Sequence, residues 1–347
     1  MGKLEILGVS SGGGVSLYPF KNHKILANVE IRAMLHTPGN IQWYKNFKNI
    51  PLFKKWDSNT IQFLKSYKRK VDVMVCSPDC GSGSLLRFSR AKKLGDHTKN
   101  KSLNLVFLSK KLLKPKFILF ENLDGLFKSF PRKRFYKIFS DYRLIEHIAP
   151  VSRWGNSQIH RKRLIIVGIR KDLDGKIDGY FKLPNYGDRV KTCYELYGDL
   201  KIQELETAHI SEDVEESISI YAGRKMKILD IIREWNTRLV GLKRWTVTDR
   251  KFTTAPGVYR NRKQDYPATA RKANRQFDHD GLMMSPRQLA RVQGVPDDFI
   301  IHFPKDGSKT NYWINKGRAL VTKTPPYEIS VWFKKKLIKT KKLGLWK

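Results

Sequence analysis

Cysteine is scarce in this chain: Cys76, Cys80 and Cys193 are the only three in 347 residues. Three thiols build no disulfide framework and are too few for a cysteine-rich zinc site, so the expectation is a reducing cytosol and no metal. Long apolar runs are also missing, since none approaches the ~18 residues needed to span a bilayer. No signal-peptide pattern precedes the first apolar segment, and no membrane partner is expected. Acidic residues are the third shortage. Against 68 Lys and Arg stand 32 Asp and Glu, a formal net charge of +36. Such an excess favours a polyanion through counterion release, and nucleic acid is the obvious one. Most of these lysines individually need do no more than face solvent.

What the chain does have is a hydrophobic fraction of 40%, adequate for a real core. Apolar strand-like runs alternate with longer amphipathic stretches over the first 170 residues. Leu4–Val9, Lys24–Glu30, Val71–Val75, Lys116–Phe120, Tyr142–Ile148 and Leu164–Ile169 read as strands, and Lys101–Leu113 reads as a helix. That alternation predicts an α/β fold with a doubly wound, mainly parallel sheet. From about Lys171 the pattern dissolves into scattered Gly, Pro and aromatic residues up to about Asp280, which reads as a smaller, irregular domain. Asp213–Arg233 is the one helical passage there. A helix starts at Ser285-Pro286, with proline at its first position, and the chain closes on a lysine-rich segment.

Several strand ends carry residues too polar or reactive to be there for packing. Val71–Val75 runs into Cys76-Ser77-Pro78-Asp79-Cys80, and Lys116–Phe120 runs into Glu121-Asn122. In an open α/β sheet the carboxyl ends of parallel strands share one crevice, so Cys80 and Glu121 would converge there. A thiol nucleophile beside a proton donor suits covalent catalysis on an electron-poor ring. Cys76 reads instead as a buried strand residue. After the first strand, Ser10-Ser11-Gly12-Gly13-Gly14 lets backbone approach a ligand closely. Glu30, ending the second strand, can accept both ribose hydroxyls of an adenosine-containing cofactor.

Taken in chain order, these segments resemble the DNA cytosine carbon-5 methyltransferases. The opening VSSGGGVSL resembles the family's S-adenosylmethionine loop, which implies cofactor contacts from Ser11, Gly12, Gly13 and Gly14. The resemblance makes Glu30 the ribose-binding acid, Asp57 an adenine contact and Pro78, in the Pro–Cys loop, a further cofactor contact. Cys80 is then the nucleophile and Glu121 the acid of the Glu-Asn-Val motif. QIHRKRLIIVGIR supplies the paired arginines Arg161 and Arg163, implied to hold the flipped nucleotide or support the thiolate. SPRQLARVQGVPDDF follows the Arg–Leu–Gln–Gly–Phe–Pro motif, with Arg291 and Gln293 expected as scaffold and Asp297-Asp298 as a cap. Gly317–Val321 resembles the family's Gly-Asn-Ala-Val, which implies that Arg318 and Ala319 return to the cofactor site.

The resemblance implies a Rossmann-like catalytic and cofactor-binding domain over 1–170 and a target-recognition domain over 171–284. A hinge and small-domain helix over 285–310 would precede a C-terminal return with a basic tail over 311–347. It further implies a monomer acting on duplex DNA, in a bacterial or phage-infected cytoplasm, by flipping the target base out of the stack. Restriction-modification is the implied setting.

Several positions depart from the pattern. Asp79 replaces a proline, and its charge should raise the pKa of a neighbouring thiol. Gly81 replaces a glutamine, and Ser10 an aromatic. Ile159 falls at the Gln position of Gln-x-Arg-x-Arg, with Gln158 beside it. Arg318 stands where asparagine is usual, and a fixed cation there suits a carboxylate. This opens a second expectation, carboxy-S-adenosylmethionine as the donor of a carboxymethyl group. An RNA substrate, or a DNA-binding homologue without activity, complete the alternatives.

Overall fold

The computed structural model describes residues 3–11, 13–30, 43–79, 100–158, 161–177, 179–186, 190–200, 218–221, 224–227, 259–260, 276–277, 286–301 and 326–347. Seven strands form one sheet: β1 (Glu5–Val9), β2 (Lys24–Val29), β3 (Leu52–Phe53), β4 (Val73–Cys76), β5 (Phe117–Asn122), β6 (Tyr142–Pro150) and β7 (Lys162–Arg170). Their order is β3-β2-β1-β4-β5-β7-β6. β1 to β5 pair in parallel, whereas β7 runs antiparallel to both β5 and β6. From β1 the chain moves outward through β2 and β3, then crosses to β4 on the other side. The switch point between β1 and β4 opens a crevice at their carboxyl ends, where ligands bind in such sheets.

The central strands are apolar on both faces because both faces are covered. On one side Ile6, Val73, Val75, Phe117 and Leu119 pack with Phe20, Trp43 and the C-terminal residues Trp332 and Phe333. On the other, Leu7, Met74, Ile118 and Phe120 meet Leu64 of helix α1 (Ser58–Ser66), Leu103 and Val106 of α2 (Lys101–Leu113), and Phe135 of α3 (Arg132–Ile138). Adjacent residues of one strand thus serve opposite cores, as period-two geometry requires. α2 has the bounds expected from the sequence. Its cap is Asn100, whose Oδ1 accepts from Ser102 N and Leu103 N, and Lys110 and Lys111 in its last turn complement the helix dipole.

Beyond β7, helix α4 (Lys171–Ile177) and the segment after it stay on this core: Phe181 packs on Phe117, with ring centroids 5.4 Å apart. Helix α5 (Cys193–Tyr197) buries Cys193 and Tyr197, and a Thr192/Glu195 capping box starts it. The expected helical passage Asp213–Arg233 is not helical where described. Ile218–Tyr221 (β8) and Arg224–Lys227 (β9) form an antiparallel pair. The alternation Ile218-Ser219-Ile220-Tyr221 and the Ala222-Gly223 step of the sequence suit a hairpin, and this local period outweighs the helix-forming Glu and Lys nearby. A parallel two-residue bridge joins β10 (Tyr259–Arg260) to β11 (Gln276–Phe277).

Helix α6 (Pro286–Val292) begins on its proline as expected. The last helix, α7 (Tyr327–Lys342), buries Ile329, Trp332, Phe333 and Leu337, a stripe at helical spacing that faces the sheet. The chain end folds back: Trp346 Nε1 donates to Thr340 Oγ1 at 2.9 Å, and its ring meets Phe117 edge-on. Among the described residues no helix is long and apolar enough to cross a membrane.

Candidate active site

Register brings the loop ends together. Val9 pairs with Cys76 and Cys76 with Phe120, so the loops after β1 and β4 leave the sheet beside Glu121 and Asn122 at the end of β5. Both Glu121 oxygens are occupied. Ser77 Oγ donates to Oε2 at 2.5 Å, and Arg163 Nε lies 3.0 Å from Oε1. The two side chains are only 9% and 13% exposed, so this is a desolvated ion pair with a second hydrogen bond, an arrangement that fixes the carboxylate's direction.

The loop after β4 is tied down residue by residue. Asn122 Nδ2 donates to Pro78 O at 3.2 Å, Asp79 N donates to Ser102 Oγ at 2.6 Å, and Asn100 Nδ2 donates to Asp79 O at 2.6 Å. Asn100 therefore caps α2 and anchors the loop with one side chain. Cys80, the next residue in the chain, lies outside the described residues. Cys76 is the buried strand residue expected: its Sγ donates to Leu119 O at 3.4 Å, and burial followed by the charge of Glu121 pushes its pKa well up.

The two arginines differ. Arg163 reaches Glu121, whereas Arg161 is interior, with 2% exposure. Arg161 N donates to Gln158 O at 3.3 Å, and Val151 N donates to Arg161 O at 2.8 Å. Gln158 is buried, its Nε2 within 3.1 Å of Asn156 Oδ1 and Val292 O and 3.0 Å from Gln293 Oε1. Gln158 thus joins the β6–β7 connection to α6, and Ile159 is outside the described residues. Arg291 binds Asp297 through both carboxylate oxygens and also pairs with Asp199, while Asp298 pairs with Lys21 at 2.6 Å.

On the β1–β2 side, Ser10 adopts φ +53 and its N donates to Val29 O at 2.7 Å. Ser11 Oγ donates to Asn28 Oδ1 at 2.9 Å. Gly13 is buried, and Gly14 has φ +91, where a Cβ would stand 2.3 Å from the Phe47 ring. Glycine there is required both by backbone and by packing. Glu30 leaves the carboxyl end of β2, its N donating to Phe53 O at 2.8 Å and its side chain 1% exposed. Asp57 caps α1: Oδ1 accepts from Thr60 N at 2.9 Å, which lowers its pKa. Gly12, Arg318 and Ala319 lie outside the described residues.

This donor set fits an adenosine cofactor. A buried carboxylate, Glu30, stands at the switch-point edge beside the glycine-rich loop after β1. Asn28 Nδ2, under that loop, is a buried donor with no hydrogen-bond partner. Among the described residues no group of His, Cys, Asp or Glu could hold a metal ion.

Sequence reasoning did not single out Asn100, Ser102 or Asn156 for the site. The Asn-Lys-Ser step before an apolar helix was a cap signal that could have marked the first two. Asn156 carried no local signal.

A seven-stranded, mostly parallel sheet with an antiparallel β7 and loops converging at its switch point is the Rossmann-like methyltransferase fold. Within that class, the chain belongs to the C-5 cytosine-specific DNA methylases, whose family model matches residues 20–318. The family uses S-adenosylmethionine and acts on nucleic acid. Solved structures share the fold. A prophage-encoded E. coli protein described as a DNA modification methyltransferase matches at TM-score 0.65 and 17% identity, over 97% of this chain and 99% of its own. The S. pombe Dnmt2 methyltransferase matches at TM-score 0.58 and 14% identity, over 98% and 99%. The Entamoeba histolytica methyltransferase EhMeth matches at TM-score 0.59 and 14% identity, over the same shares. Among curated proteins, no sequence relative matches.

Proposed function

We propose that the chain transfers a methyl group from S-adenosylmethionine to carbon 5 of cytosine in duplex DNA. The observation that carries this reading is the clamp on Glu121. A carboxylate gripped by Ser77 and Arg163 at the lip of the sheet is pre-aimed, and the tethered loop beside it leads directly into Cys80. In this reading the Cys80 thiolate adds to carbon 6 of a flipped cytosine. Glu121 shares a proton with the ring nitrogen, so that charge built on the ring is neutralised and carbon 5 becomes nucleophilic. Bound S-adenosylmethionine supplies the electrophilic methyl group. Loss of the carbon-5 proton and expulsion of the thiol restore the aromatic ring.

Glu30 would receive the ribose hydroxyls, Ser11 and Gly12–Gly14 the backbone approach, and Pro78, Asp57, Arg318 and Ala319 the remaining cofactor contacts. Asp57 already spends one oxygen on its helix cap, so any adenine contact falls to the other. Arg161 braces the connection from within, and Arg163 holds the acid. Residues 171–284 would carry target recognition, with the part up to Tyr197 fixing it to the core. The prophage setting of the E. coli relative supports a DNA substrate in a bacterial or phage-infected cytoplasm. The chain is proposed to act as a monomer, and a restriction-modification role follows only with a partner endonuclease.

The test is a 5-fluorocytosine duplex incubated with the cofactor. The parent chain forms a covalent adduct and Cys80→Ser forms none; no adduct from either removes the reading. Competition with transfer RNA decides the nucleic acid. Arg318 supports a second donor, carboxy-S-adenosylmethionine, and mass spectrometry of DNA treated with each cofactor separates carboxymethyl from methyl products.

A further inference from the structure

Glu328, in the first turn of α7, is far in sequence from every catalytic position, yet it touches the loop that delivers both arginines. Asn156 Nδ2 donates to its Oε1 at 3.2 Å and lies 3.4 Å from Oε2. Asn156 Oδ1 accepts from Gln158 N at 3.0 Å and Gln158 Nε2 at 3.1 Å. Gln158 O accepts from Arg161 N, and two residues on, Arg163 holds Glu121. An unbroken run of hydrogen bonds therefore leads from α7 to the start of β7.

Gly294, at φ +72, lies directly against the carboxylate. A Cβ there would stand 1.8 Å from Glu328 Oε1, so the carboxylate fills the space a side chain at 294 would need. Glu328 also lines a cavity of about 490 Å³ with Lys191, Glu195, Asp199, Arg291 and Asp297. It is half-buried, lining this cavity on one side with protein close around it. Burial pushes its pKa up to about 7; its own backbone N–H, the bond from Asn156 and the charge of Arg161 pull the other way.

A carboxylate held this way is costly, since a desolvated charge needs partners to offset lost water. It packs against Gly294, and the neighbouring buried Arg161 adds an electrostatic reason for a charge here. We infer that Glu328 is a positioning residue: it latches α7 to Asn156 and so sets the Asn156–Arg163 connection that aims Arg163 and Glu121. This latch rests on the methyl-transfer reading above, and its test separates the two.

Glu328→Ala, Glu328→Gln and Thr340→Ala are compared with the parent chain. Thr340→Ala loosens the other end of α7 by removing the acceptor of Trp346 Nε1. Misplacing catalytic groups without touching substrate lowers kcat and spares KM, here on the order of 10- to 100-fold for Glu328→Ala. Glu328→Gln keeps an oxygen for Asn156 and stays within about threefold of the parent, and Thr340→Ala keeps the parent kcat. Equal turnover by parent and Glu328→Ala, or an equal loss in Thr340→Ala, overturns the latch alone. An inactive parent sinks the methyl-transfer reading instead. The latch is then decided by amide exchange at Arg161, whose N–H depends on Gln158. Faster exchange in Glu328→Ala only supports it, and unchanged exchange overturns it.

Discussion

Glu121 and Glu328 are both acids enclosed by protein, and their surroundings could hardly be less alike. Glu121 has a hydroxyl on one oxygen and a guanidinium on the other, and sits on a strand with buried neighbours on both sides. Glu328 has the Asn156 amide, its own backbone N–H, a glycine face and a cavity, with Arg161 acting through its charge. The first is locked in direction by strong local partners. The second has only neutral hydrogen-bond donors in contact, its own N–H and Asn156, with the Arg161 charge nearby, so it responds to pH and to small changes in packing. A buried charge becomes a fixed tool when a counter-charge touches it, and a tunable joint when its direct contacts are neutral dipoles.

The widest gap between the two should open when Arg163 is removed. Arg163→Ala leaves Glu121 with Ser77 alone, and kcat should fall by about 10²-fold or more while the fold persists. Steady-state methylation beside circular dichroism reads both, and parent-like turnover would mean the clamp does not aim the acid. Next is Gly294→Ala. It forces a side chain into a left-handed backbone and into the Glu328 carboxylate at once. A loss of about 2–4 kcal/mol in urea unfolding is expected, and it should shrink when combined with Glu328→Ala, because the clash is then gone. Simple additivity of the two would contradict the packing described.

The pH response is a subtler test. Folding raises the Glu328 pKa from the ordinary 4.5 to about 7, so between these values the folded chain keeps a proton that the unfolded chain has released. Its contribution is fully present below about 4.5 and is lost as pH rises to about 7, at up to about 1.4 kcal/mol per pH unit. Urea midpoints of the parent, measured relative to Glu328→Gln, should fall between pH 5 and pH 8. Parallel curves for the two chains would show that the carboxyl titrates normally. The smallest effect belongs to Asn100→Ala, which removes a helix cap and the tether on Asp79 O. Stability should drop by about 1 kcal/mol, with a modest fall in kcat; a drop in stability alone would show that the loop holds its course without Asn100.

Much of the scaffold could be read directly. The apolar runs of β1, β4, β5 and β7 and the periodicity of α2 announce themselves because burial on two faces, or on one helical stripe, is a local pattern. β3 escaped because two residues hold no period. The β8–β9 stretch reads as helix in the sequence because the Glu and Lys around it hide an alternation only four residues long. Asp57 illustrates a different limit: a carboxylate before Ser-Asn-Thr is as legible as a cap as it is as a ligand.

The order of the chain alone settled that an acid would end β5, that a thiol would follow the loop after β4, and that glycines would follow β1, since strand and turn chemistry are written in neighbouring residues. Tertiary structure alone decided that Ser77 and Arg163 would share Glu121, and that Asn156 would meet Glu328 from 172 positions away. Hydrogen-bond partners are chosen by distance in space, and no local period encodes which residues two cores will bring face to face.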